Sequence, residues 1–310
     1  MRVIKFWEPT CSTQNLVQLA TMSEFIYIWA LTQWNEPLQK LRQPVPTPSG
    51  TEVLLTFTLL KESTTRAEGS ASTSKIAASS CLSLWAMKYS ERGLGTFRHG
   101  GSAEYVLVPH PKYLVDLGDL DPAVACTFGC SGITTLSAVS KVLPLPTDEP
   151  VLLIGAGGLG LAAIAVLKAF GHKSIIATDV ADEKLDAATA AAATKTVNIS
   201  GPSATEDILA AINGPVIAVI DFVNSSITAN LANGIIAKGA KWLQVGVMGG
   251  SIEFSLVANI FKGLTIFSNI TGNLEHFRQV VQLAKEGKLS PVPVQTMDWN
   301  SANEILVEVS

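Results

Sequence analysis

The sequence predicts an α/β protein: a doubly wound parallel sheet with a smaller β-rich domain beside it. Three observations lead there. Val151 to Asp179 reads as strand, tight glycine turn, helix and second strand. After it, apolar strand-sized runs alternate with helix-like stretches. Before it, strand patterns are short and separated by proline- and serine-rich sequence. Alternation of this kind means parallel strands with helices on both faces. Right-handed crossovers then bring the loop after each strand to one edge of the sheet.

The glycine turn carries the sharpest chemistry. Val151–Ile154 is followed by Gly155-Ala156-Gly157-Gly158-Leu159-Gly160. Gly155 permits the turn, Gly157 lets a pyrophosphate approach the backbone, and Gly160 lets the helix pack close on the strand. The helix, running to Phe170, offers free N–H groups and a positive dipole end at Gly158 and Leu159. Ser174–Thr178 forms the next strand and ends at Asp179. A carboxylate there can accept both adenosine ribose hydroxyls and repels a 2′-phosphate, so NAD is expected over NADP. Lys184 either flanks an adenine pocket or is a solvated helix residue.

The rest follows in chain order. Residues 1–21 lack clean periodicity and read as an extension, with Met22 a second plausible start. Strand pattern begins at Ile26, the stretch from Glu36 to Pro48 is proline-punctuated, and Thr51–Phe57 is a strand. Lys61–Arg92, rich in Ser, Thr and Ala, reads as loop. Gly101–Val108 is a strand, and Asp121–Val142 is one helix-like stretch containing Cys126, Cys130 and Thr134. Beyond the turn, helices are expected at Glu183–Ala193, Ser226–Lys238 and Glu275–Glu286. Strands are expected at Ala218–Val223, Lys241–Val247 and Leu264–Asn269.

Composition excludes several classes. The chain has 310 residues, 47% of them hydrophobic, and a net charge of −4; its mean hydropathy is +0.33 and its pI about 5.6. No Lys/Arg stripe suggests nucleic acid, and no apolar run reaches membrane-crossing length. The start shows no sustained secretory core. The four cysteines, Cys11, Cys81, Cys126 and Cys130, form no CxxC pair. That usage fits a reducing, cytoplasmic setting.

These residues resemble the medium-chain dehydrogenase/reductase family, specifically the zinc-type alcohol dehydrogenases. The segments that carry the resemblance are Gln33–Leu38 through Pro44–Pro48 and Glu52–Leu55, Gly100-Gly-Ser-Ala-Glu-Tyr-Val106, Cys130-Ser-Gly-Ile-Thr-Thr135, and 151–270, with Asp221-Phe-Val-Asn224, Gln244-Val-Gly246 and Ser268-Asn-Ile-Thr-Gly272. The resemblance implies a GroES-like catalytic domain over 1–129, a Rossmann domain over 130–270, and a return to the catalytic domain over 271–310. It implies Thr134 and the backbone around Val223, Gly246, Asn269 and Ile270 along the nicotinamide side. It also implies a homo-oligomer, dimer or tetramer, with Ile252–Phe267 read as apolar strand sequence at an interface or in the core. Val245 and Leu256 are expected in the core.

Departures from the family pattern are as informative. Between Phe57 and Gly100 there is no Cys-His pair and no Gly-His-Glu, the segments that bring catalytic zinc ligands in zinc-type members. The lobe for a structural zinc is missing as well. The chain reaches Ser310 soon after Ala302–Leu306, where family members continue. Family-like sequence on both sides of 59–95 makes an altered reading frame or splice choice one reading of that segment and of the termini. A catalytic zinc needs three protein ligands and an open position. Cys130 stands in a ligand-like position, against the alternative of a small buried helix residue. His99, beside Gly100, could relay protons, whereas His110 reads as structural and His172 as solvated. Glu62, Glu68 and Cys81 are weak ligand candidates.

The function expected is an NAD-dependent oxidoreductase passing hydride between a small alcohol or carbonyl substrate and the nicotinamide, with zinc doubtful. Two alternatives stand beside it: a dinucleotide-binding remnant or regulator without turnover, and a zinc-free enone or quinone reductase.

Overall fold

The structure is a computed structural model of the chain. It describes residues 113–297 continuously, six short strands before them, and residues 301 and 304. The early strands are β1 (Arg2–Ile4), β2 (Phe25–Ala30), β3 (Gln39–Pro44), β4 (Val53–Thr56), β5 (Ile76–Ala78) and β6 (Tyr105–Val108). β7 (Leu114–Asp116) follows. The chain divides into two compact units: 1–130 with 273–285 and 293–310, and 131–272 with 286–292.

The first unit is β-rich. β2 pairs antiparallel with β3, β4 with β6, and β5 with β7. β1 pairs parallel with β14 (Gln295–Met297). β3 lies in the proline-punctuated stretch that resembles opening strands, and β5 lies where the sequence reads as loop, a correction to that reading. Asp121 caps the four-residue helix α1 (Pro122–Ala125), accepting the Ala123 N–H at 2.9 Å, and Pro122 starts it. The single helix expected over Asp121–Val142 is broken. A 3-10 turn occupies Cys126–Gly129, and α2 (Ser131–Val142) begins afresh. Gly129 has poor helix propensity. Thr127 Oγ1 also bonds back to the Val124 carbonyl at 2.8 Å, a contact that bends helices.

The second unit holds a six-stranded parallel sheet in the order β10-β9-β8-β11-β12-β13. Its strands are β8 (Val151–Ile154), β9 (Ile175–Asp179), β10 (Lys195–Asn198), β11 (Val216–Asp221), β12 (Ile236–Gln244) and β13 (Thr265–Ser268). Its helices are α2, α3 (Gly158–Ala169), α4 (Asp182–Ala190), α5 (Ala204–Ile212), α6 (Ser226–Ile235) and α7 (Leu256–Lys262). α8 (Leu274–Lys285) returns to the first unit. β8 and β9 are buried throughout, as central parallel strands must be. Leu152, Ile154, Val219 and Trp242 are wholly buried at the heart of the sheet. Each such side chain contributes on the order of 1.5–3 kcal/mol.

β10 and α5 were not anticipated. β10 is a polar edge strand, KTVN, without the apolar run that marks its neighbours. The region 252–267 is not one strand. It forms α7, stopped by Gly263 in the left-handed conformation, and then β13. Leu256, expected in the core, is 78% exposed, while Val245 is buried as expected. His172 is buried rather than solvated, and its Nε2 meets the Glu149 carbonyl at 2.8 Å. That bond ties the turn before β9 to the segment before β8. Among the described residues no single helix is long and apolar enough to cross a membrane.

Candidate functional site

The site forms where strand order reverses. β8 is followed by α3 and β9 on one side, while β11 lies on its other side. Such a switch point opens a crevice beyond the carboxyl ends of the strands.

The glycine turn is built as its sequence requires. Gly155 has φ +98°, and a Cβ there would sit 3.0 Å from Val223 Cγ2. A Cβ on Gly160 would lie 2.1 Å from the Gly155 carbonyl oxygen, so α3 packs against the turn at a distance only glycine allows. Gly157 differs. It is the N-cap of α3, with φ −73° and ψ −162°, and nothing stands within 4 Å of where its Cβ would be. No side chain caps α3. The N–H groups of Gly158, Leu159 and Gly160 have no intrahelical acceptor at a helix start. Free N–H groups at a helix start, beside a glycine with nothing within 4 Å of its Cβ position, suit an anion such as a pyrophosphate.

Asp179 ends β9 beside this turn. Its Oδ2 accepts the Ala156 N–H at 2.9 Å, and its Oδ1 accepts the N–H groups of Val180 and Ala181 at 2.8 and 3.2 Å. Lys184 Nζ is 3.7 Å away and half exposed. The carboxylate therefore pins the glycine turn to the end of β9 as well as placing negative charge beside it. Three of its roughly four acceptor positions are used.

The other side of the switch is organised by Asp221, a residue the sequence analysis gave no role. Asp221 is wholly buried at the end of β11. Its Oδ1 accepts the N–H groups of Val223 and Asn224 at 2.9 and 2.7 Å. Burial pushes its carboxyl above the usual range, against the opposing pull of those two N–H bonds. The Thr228 hydroxyl gives its proton to the Ser225 carbonyl, and Asp221 Oδ2 is left without a hydrogen-bond partner. The signal that could have revealed Asp221 was in the sequence: an acid closing an apolar strand before turn-forming residues, as at Asp179.

Gly246 sits against this loop so closely that a Cβ would lie 2.2 Å from the Val223 carbonyl oxygen. Asn269 is buried, and its side chain is spent on α2. It accepts from Ser137 at 2.9 Å and Lys141 at 2.8 Å, and donates to the Thr134 carbonyl at 3.2 Å. Asn269 thus offers a ligand its backbone alone. Burial among neutral acceptors holds the Lys141 ammonium below the usual lysine range. Thr134 Oγ1 reaches Thr271 Oγ1 at 3.4 Å, and Ile270 is exposed.

Cys130 is exposed and lies between the 3-10 turn and α2, not buried within a helix. Cys126 donates to the Ala123 carbonyl at 3.2 Å, and burial of its sulfur pushes the thiol to about 11. His99 lies outside the described residues, as do Glu62, Glu68, Cys81 and His110. Among the described residues no three His, Cys, Asp or Glu side chains gather as metal ligands. These residues do not fit a catalytic zinc site, which needs three.

A glycine turn at the switch point of a doubly wound sheet, with an acid ending the next strand, defines a dinucleotide-binding α/β domain. Comparison with known proteins agrees. Residues 158–286 match the family of zinc-binding dehydrogenases. NAD-dependent alcohol dehydrogenases of Sulfurisphaera tokodaii and Saccharolobus solfataricus are 35% and 36% identical. Each match covers 70% of this chain and 63% of the relative, so the chain spans less than two thirds of their length. An alcohol dehydrogenase from Aeropyrum pernix has a similar fold, with TM-score 0.76 at 21% identity over 91% of this chain and 96% of that one. In sequence the chain is similar to zinc-binding dehydrogenases and to NAD-dependent alcohol dehydrogenases, and in fold to a solved alcohol dehydrogenase.

Proposed function

We propose that this chain is an NAD-dependent oxidoreductase of the alcohol dehydrogenase type, moving hydride between a small alcohol or carbonyl substrate and a nicotinamide. The observation that carries the reading is the open cradle at Gly157, set between an uncapped helix start and Asp179. The pyrophosphate would lie on the N–H groups of Gly158 to Gly160. Asp179 would face the adenosine ribose and disfavour a 2′-phosphate. The loops after β11, β12 and β13, with Thr134, would line the nicotinamide half. The bound nicotinamide supplies the hydride chemistry, and the protein's share is orientation.

No step is assigned to zinc, because the described residues do not assemble its ligands. The absence of a Gly-His-Glu or Cys-His segment between Phe57 and Gly100 favours, as second reading, a dinucleotide-binding protein without turnover. A cytoplasmic setting fits the exposed Cys130. A homo-oligomer fits the exposed Leu256, Val257, Ile260 and Phe261 of α7 beside the open edge of β13.

The test is direct. Titration of the purified chain with NADH and NADPH should show NADH the tighter ligand by tenfold or more. Assay with NAD and a panel of primary and secondary alcohols should then show turnover. Equal affinity for NADPH would refute the role given to Asp179. Tight NADH binding with no turnover across alcohols, enones and quinones would establish the second reading.

A further inference from the structure

We infer that Asp221 is a positioning residue that sets the nicotinamide-side wall of the cleft, acting through Asn224 and the loop at Gly246. The inference deepens the cofactor-binding reading and rests on it.

The geometry converges on one residue. The Asp221 side chain holds the loop after β11 through the N–H groups of Val223 and Asn224. Its backbone carbonyl accepts the N–H groups of Val245 and Gly246, at 2.9 and 3.1 Å, at the start of the loop after β12. Asn224 completes the link: its Nδ2 donates to the Gly246 carbonyl at 3.1 Å, from a backbone at φ +55°. The Met248 N–H then reaches the Val223 carbonyl at 3.2 Å. Two separate loops are thus held in fixed relation: the buried carboxylate fixes the first, and the Asp221 backbone carbonyl and the Asn224 side chain tie the second to it. Val223 in turn bears on Gly155, at the root of the pyrophosphate turn.

The burial points to a purpose beyond loop closure. A carboxylate wholly out of water, with one oxygen unpartnered, costs free energy that an exposed turn residue would avoid. At Asp179 the corresponding oxygen is satisfied by Ala156 and a lysine stands near. No such partner meets Asp221 Oδ2. Costly, rigid polar groups of this kind hold sites in place.

The position selects which half of the cofactor is affected. Asp179 and the glycine turn serve the adenosine and pyrophosphate, whereas Asp221 stands across β8. Loss of the Asp221 acceptor should therefore loosen the nicotinamide half and leave the adenosine half alone.

The experiment compares NADH with ADP, which has the adenosine and pyrophosphate but no nicotinamide, on wild-type protein, Asp221→Leu, Asp221→Asn and Asn224→Gly. Asp221→Leu keeps volume and removes the acceptor; Asp221→Asn keeps an acceptor at Oδ1. Asn224→Gly suits the left-handed backbone and removes the tie to Gly246. Expected are a tenfold or greater loss of NADH affinity in Asp221→Leu, a smaller loss in Asn224→Gly, and retention within threefold in Asp221→Asn. ADP affinity should stay within twofold in all. Equal loss for ADP and NADH, or full NADH affinity in Asp221→Leu, would overturn the inference. Should Asp221→Leu not fold, unchanged NADH affinity in Asn224→Gly would overturn it and a selective loss there would support it. Wild-type protein that binds neither ligand would instead overturn the cofactor reading itself.

Discussion

Replacing Gly157 with alanine should separate binding from folding. The backbone at Gly157, φ −73° and ψ −162°, is open to any residue, and its Cβ would touch nothing. Alanine narrows the unfolded chain, a gain of about 0.4–1 kcal/mol. It is also a poorer N-cap than glycine, a loss of comparable size. The fold should therefore keep its stability within about 1 kcal/mol, measured by urea denaturation. Binding should respond very differently. The added methyl enters the space where a pyrophosphate must approach the N–H groups of Gly158–Gly160. Losing one or two hydrogen bonds to a charged group removes about 1.5–3 kcal/mol each. NADH affinity should fall by roughly 10- to 10⁴-fold, since 1.4 kcal/mol is a factor of ten. Fluorescence titration with NADH reads this directly. Gly160→Ala is the control in the other direction: its Cβ would lie 2.1 Å from the Gly155 carbonyl, so α3 must shift. Overpacking of that kind costs about 1–3 kcal/mol. A folded Gly157→Ala protein that binds NADH within threefold of wild type would refute the placement of the pyrophosphate.

Other expectations follow from the same geometry. Asp179→Asn turns an acceptor toward the Ala156 N–H into a donor, so it should cost about 1–3 kcal/mol in denaturation and narrow the preference for NADH over NADPH. Burial raises the Asp221 carboxyl above its unfolded value, so the folded state binds that proton more tightly. The resulting stabilisation is present at low pH and is lost as pH rises from about 4 through the raised folded value. Asp221→Asn, which cannot ionise, should gain stability relative to wild type over that rise; a gap that does not change with pH would count against the burial. The Cys126 thiol, at about 11, should be alkylated far more slowly than a free thiol below pH ~9, as peptide mapping after iodoacetamide would show. Ile260→Glu on the exposed face of α7 should lower the mass measured by light scattering if that face joins two copies, and leave the melting temperature unchanged.

The cofactor half was legible because its signals are local. Val151–Asp179 combines an apolar strand, glycines at fixed spacing and an Ala/Leu-rich helix, and each is visible within thirty-odd residues. Gly157 and Gly160 were read for different reasons, and the structure gives them different surroundings. Less legible were features decided by neighbours in space. β10 takes its place by pairing with β9, not by hydrophobicity. The break at Cys126–Cys130 depends on Thr127 bonding back to Val124 within an otherwise helical pattern. The α7 segment looked like strand because its apolar residues run together, and their exposure could not be read from their identity. Asn269 was read for its backbone beside the nicotinamide, and its side chain belongs to α2.

Asp179 and Asp221 show why strand-end acids deserve separate treatment from surface acids. Both close an inner strand of the sheet, one on each side of β8, and both hold two N–H groups of the loop that follows. They differ in the fate of the second oxygen. At Asp179 it reaches across to Ala156 and fixes the glycine turn, with Lys184 nearby to offset the charge. At Asp221 it is sealed from water and unpartnered, and the link to the next loop passes through the backbone carbonyl and through Asn224. A negative charge is useful beside a ribose and unwelcome beside an apolar ring. The acid flanked by a half-exposed lysine therefore suits the adenosine half, and the unpartnered acid suits the nicotinamide half, where it can order two loops while keeping its charge away from the reacting ring.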